Sequence, residues 1–68
     1  MKYHIDDWVL YRPFYDSEKD STLYKITHRA VILHVFKKEE YYDYEIFIDD
    51  GSSKIKKVKQ ECLESISK

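Results

Sequence analysis

The stretch from Tyr41 to Gly51 constrains this chain more than any other. Tyr44, Ile46 and Ile48 alternate with Asp43, Glu45, Phe47 and Asp49, the two-residue period of a strand with one apolar and one mostly acidic face. Asp50-Gly51 follows at once, and an Asp-Gly pair after such a run predicts a tight hairpin because both residues tolerate positive φ. Lys54 to Lys59 is then the returning strand, with Val58 pointing inward.

The remaining segments extend the same pattern. Trp8 to Arg12 predicts a first strand, ended by Pro13, which cannot donate to a ladder. Phe14 to Tyr24 is a polar loop bracketed by aromatics. Thr27 to Phe36 predicts a longer strand with Ala30 and Ile32 on one face and Val31, Leu33 and Val35 on the other. Apolar residues on both faces require a strongly bent central strand or a bulge. Lys37 to Glu40 is a charged turn, with strand character resuming at Tyr41. Lys59 to Glu64 is too short for a stable helix and fits one helical or 3₁₀ turn, after which Ser65-Ile66-Ser67 can close the sheet. The expected fold is all-β: a five-stranded, strongly bent antiparallel small barrel with one 3₁₀ turn before the last strand. It occupies residues 6–67 as one domain, behind a short N-terminal extension, residues 1–5. Either a domain of a longer protein or a free-standing small protein fits these bounds.

Size and composition narrow the function. A 68-residue chain holds one small core and buries only ~60% of its unfolded surface, leaving little material for a closed catalytic cleft. At 43% hydrophobic and 37% charged residues it is too apolar for a disordered segment and too charged for a membrane one. No run approaches the ~20 apolar residues of a spanning helix, and the first residues lack a signal-peptide core. A single cysteine, Cys62, permits no internal disulfide, which fits an intracellular, reducing compartment, nuclear or cytoplasmic. The formal charge of -1 argues against a protein whose main task is neutralising phosphates. His4, His28, His34 and Cys62 have no zinc spacing, one glycine cannot build a phosphate loop, and no nucleophile has a base beside it. No enzyme, metal or cofactor is expected.

Several of these segments resemble the Tudor domain, a relative of the Src-homology-3 barrel. They are Asp7 to Arg12, Arg29-Ala30-Val31-Ile32, Tyr44 through Asp50-Gly51, and Val58 leading to Leu63 and Ile66. In that family a Val-x-Ala-type strand precedes an Arg-Ala-x-Val strand and a Tyr-x-Val-x-Phe-x-Asp-Gly strand. Val9-Leu10-Tyr11 with the acidic loop after it also looks like the start of an Src-homology-3 domain. That family's groove needs a Trp and a Pro where this chain has Tyr41-Tyr42 and Lys59-Gln60-Glu61. The Tudor resemblance implies an aromatic cage for a methylated ammonium. Phe47 with Asp49 or Asp50 matches part of it, and Pro13, Phe14, Tyr15, Tyr24 and His28 stand where the other walls belong. If the opposite face is aligned, Ile48 replaces the aromatic and there is no cage.

The expected function is therefore a non-catalytic protein-interaction module. It recognises a short basic or methylated peptide, or a partner segment, through Trp8, Phe14, Tyr15, Tyr24, Phe47, Asp49 and Asp50. Trp8 is expected in a groove with Leu10, Phe47 and Ile55, where it either covers the barrel or binds. Two alternatives stand beside this. One is nucleic-acid binding through Lys54, Lys56, Lys57 and Lys59 with exposed aromatics. The other is homotypic assembly through a strand edge or the Trp8 and Phe47 patch.

Overall fold

The computed structural model describes residues 2–66, and these form an all-β unit. Its strands are β1 (Trp8–Tyr11), β2 (His28–Val35), β3 (Tyr44–Asp49), β4 (Lys54–Val58) and β5 (Leu63–Ser65), with a 3₁₀ turn, η1 (Gln60–Cys62), entering β5. They make one antiparallel sheet in the order β4-β3-β2-β1-β5. β4 and β5 are its edges, and among the described residues no ladder joins them, so the expected barrel is not closed by strand pairing there. The sheet curls nonetheless: the Lys56 ammonium of β4 reaches the ring face of Tyr11 on β1, 5.8 Å from its centroid, from three strands away. No helix among the described residues is long and apolar enough to cross a membrane.

The concave face holds the core. Cross-strand partners share a face, and the inward rows are Val9↔Ala30↔Ile48, Ile32↔Ile46 and Tyr44↔Val58; all these residues are buried, joined by Tyr11, Cys62 and Leu63. In β2 the register shifts between Ile32 and His34. Leu33 is thus supernumerary, and the bulge resets the alternation so that Val35 points inward beside Tyr44. The expected bulge is present, but Val35 leaves the face shared by Val31 and Leu33.

Three other boundaries differ from expectation. Tyr41 and Tyr42 precede β3 in a bend, because Phe36 N–H bonds the Asp43 carbonyl and Asp43 N–H bonds that of Val58; the ladder begins only at Tyr44. The Asp-Gly pair does not make a two-residue turn. Residues 50–53 connect β3 to β4, with positive φ at Gly51 (89°) and Ser53 (55°), and the Asp50 carboxylate accepts from Ser52 N–H at 2.9 Å. Ser52 hydrogen bonds hold the Asp50 pKa below its ordinary value. β5 starts at Leu63, earlier than the expected Ser65-Ile66-Ser67 strand, whose Ser67 lies outside the described residues.

The segment read as an extension contributes to the core. Tyr3 is buried, its ring edge-on to Tyr44 at 5.7 Å, and its backbone N–H donates to the Tyr44 hydroxyl, which in turn donates to Gln60 Oε1 at 2.9 Å. Asp6, at φ 75°, turns the chain so that Asp6 N–H bonds the Ile32 carbonyl and Ile32 N–H bonds that of Asp7.

Candidate functional site

Two main-chain ties place η1 between the end of β1 and the approach to β3. Arg12 N–H donates to the Cys62 carbonyl at 2.8 Å, and Gln60 N–H donates to the Asp43 carboxylate at 2.8 Å. The tyrosines on either side are thereby gathered around one cleft of about 230 Å³. Tyr11, Pro13 and Tyr15 line one side, Tyr41 and Tyr42 the other, and Lys56, Lys57, Val58, Lys59 and Cys62 complete it. Tyr41 is 71% exposed and meets Tyr42 edge-on at 4.9 Å. Such faces can bind flat or apolar groups, and the lysines supply positive charge beside them.

The cations already sit on the rings. Lys59 Nζ lies 4.4 Å from the Tyr41 centroid and also donates to the Tyr41 carbonyl at 3.2 Å, while Lys56 covers Tyr11. Glu61, by hydrogen bonding and by its charge, pushes the Tyr15 phenol above its ordinary pKa. Burial pushes the Cys62 thiol up as well, and its S–H donates to the Lys59 carbonyl.

Of the residues singled out from sequence, Tyr15, Lys56, Lys57 and Lys59 meet in this cleft. Lys54 lies farther along β4, in register with Ile48 on the concave side. Tyr24 is held elsewhere: the Arg12 guanidinium stacks 4.4 Å over its ring, donates to its carbonyl and pairs with Glu64. Phe14 is exposed. Asp49 lies on the convex face opposite Arg29, and Asp50 serves its turn. Phe47 is also convex, so Asp49, Phe47 and Tyr15 do not converge on one cage. Trp8 does join Phe47 and Ile55, in a row running Trp8↔Val31↔Phe47↔Ile55, with Leu10 in the adjacent row. Pro13, offered from sequence as a cage wall, also lines the cleft, whereas sequence reasoning missed Tyr11, Tyr41 and Tyr42 as cleft residues. Their shared aromatic character was visible, but the ties through η1 that bring them together carry no local pattern.

Among the described residues no three His, Cys, Asp or Glu side chains are grouped to hold a metal ion. No family model, curated protein or solved structure matches the chain.

Proposed function

We infer that the chain is a non-catalytic binding module with the shape of an Src-homology-3-like, Tudor-type small barrel, and that its tyrosine-lined cleft receives a short segment of a partner protein. The strand order, the curl that brings β4 toward β1, and the 3₁₀ turn before β5 support the shape. The observation that carries the function is the cleft itself: four tyrosines and one proline beside three lysines, in a volume of about 230 Å³ that suits one or two side chains. A peptide offering a carboxylate next to a proline or aromatic ring fits best, the acid meeting Lys59 or Lys56 and the flat group meeting a tyrosine.

The same geometry weighs against a basic or methylated peptide. A ligand ammonium would have to displace Lys56 from Tyr11, Arg12 from Tyr24 or Lys59 from Tyr41, and would meet like charge in the cleft. One observation favours nucleic acid as a second reading: Lys54, Lys56 and Lys57 lie on an edge strand, with Lys59 and the exposed Tyr41 just beyond. The acidic Asp16, Glu18, Glu39, Glu40 and Glu61 in the segments around the cleft disfavour a long polyanion over a short peptide.

Fluorescence anisotropy with acidic, basic and trimethyl-lysine peptides, and with a single-stranded oligonucleotide, separates these readings. The acidic, proline- or tyrosine-containing peptide is expected to bind best, and Tyr41→Ala or Lys59→Glu to weaken it roughly five-fold or more. Tighter binding of the methylated peptide would overturn the assignment. Preference for the oligonucleotide, with a log–log salt slope of about -2 as expected for three phosphates, would establish the second reading.

A further inference from the structure

β4 is an edge of the sheet, and its C-terminal half borders the cleft. Lys54 to Lys57 are all exposed, and Lys56, Lys57, Val58 and Lys59 form one wall of the cleft. The Val58 carbonyl accepts from Asp43 N–H, on the β3 side. Main-chain groups alternate sides along a strand, so those of Lys54 and Lys56 also turn toward β3, while the N–H and C=O of Ile55 and Lys57 face away from the sheet. Among the described residues no strand pairs with them.

An open edge is a template for a further strand, and the side chains say which kind. Across the ladder only Glu45, opposite Lys57, is acidic, and among the described residues no ion pair joins Lys54, Lys56, Lys57 or Lys59 to a carboxylate. Lysines on an edge repel a second β4 and admit an acidic strand. We propose that an acidic segment of a partner protein adds to β4 as an antiparallel sixth strand, its leading residue seated in the cleft. This rests on the reading of the cleft as a site for an acidic peptide, and gives that peptide a direction and a pattern. The leading residue, opposite Val58, is flat and uncharged, since η1 carries Glu61 at that end. The next two, opposite Lys57 and Lys56, are acidic. The fourth is apolar, because it meets Ile55, an apolar side chain left 60% exposed. The fifth is acidic again, opposite Lys54.

The probe is the peptide Tyr-Glu-Glu-Val-Glu, capped at both ends and labelled for fluorescence anisotropy with the full chain. N-methylation of its second and fourth residues removes the N–H groups that meet Lys57 and Ile55, and is expected to weaken binding roughly ten-fold or more. N-methylation of the third and fifth, whose N–H groups point to solvent, leaves the affinity within about two-fold. Lys54 lies outside the cleft, so Lys54→Glu reports on the added strand alone. With its circular dichroism spectrum unchanged, this variant is expected to bind the probe about three-fold more weakly and to prefer a peptide with Lys as its last residue. Equal effects of the two methylated pairs, or a Lys54→Glu chain that still prefers the original peptide, would overturn strand addition while acidic-peptide binding, and with it the cleft assignment, stands. Failure of every acidic peptide to bind, or an oligonucleotide binding ahead of them, would overturn both.

Discussion

Tyr3 and Tyr44 are neighbours in one core, yet their hydroxyls stand in opposite situations. The Tyr44 hydroxyl accepts from Tyr3 N–H and donates to Gln60, whereas the buried Tyr3 hydroxyl has no hydrogen-bond partner among the described residues. Removing a satisfied hydroxyl strands its partners, while removing an unsatisfied one relieves a cost. Urea unfolding should therefore show Tyr44→Phe losing about 1–3 kcal/mol and Tyr3→Phe gaining stability; equal losses would contradict the hydrogen-bond assignment. Tyr44 was legible in the sequence through its place in an alternating run. Tyr3 was not, because His4, Asp6 and Asp7 around it follow no period, and what buries it is a hydroxyl 41 residues away.

At the scale of elements, alternation marked strands where each side chain had one destination. β3 reads correctly because its inward residues are Tyr and Ile and two of its outward ones are acidic. β2 showed the need for a bulge but not its position, since Leu33 is as apolar as the residues around it and only the register with β3 identifies it as the extra one. The β3–β4 connection shows the limit of a dipeptide signal. Gly51 does take positive φ, but Asp50 is committed to bonding Ser52 and the turn widens. A Cβ at Gly51 would meet nothing within 4 Å, so Gly51→Ala carries only the backbone cost of the left-handed region, roughly 1–2 kcal/mol. Thermal unfolding checks this, with Gly51→Asn, which tolerates that region, expected to lose less. The cleft was half legible for a related reason: residue type showed which side chains could bind, and only the ties of Arg12 and Gln60 to distant segments settled which of them meet.

On the scale of the whole molecule, a core of eleven buried side chains among the described residues leaves a small margin of stability, and its cysteine makes that margin depend on pH. Burial raises the Cys62 thiol pKa in the folded state. Below the unfolded thiol's ordinary range, about 8.5, both states are protonated and the group has no effect on the balance. Above it the unfolded chain ionises first while the folded one keeps its proton, so stability falls as pH rises. Urea midpoints are expected to drop between about pH 7 and about pH 9.5, and Cys62→Ala to drop less; an equal slope in both would assign the effect elsewhere.

The hydrogen-bonded chain from Tyr3 through Tyr44 to Gln60 also sets an order of events. Tyr3 meets a hydroxyl 41 residues away, and that hydroxyl is held in turn by η1. β1, β2 and β3 can pair before η1 is in place, yet until then the tyrosine has no finished site. Contacts this distant in sequence form slowly. The folding chain therefore leaves this ring in water while its hairpins assemble and buries it as one of its last acts.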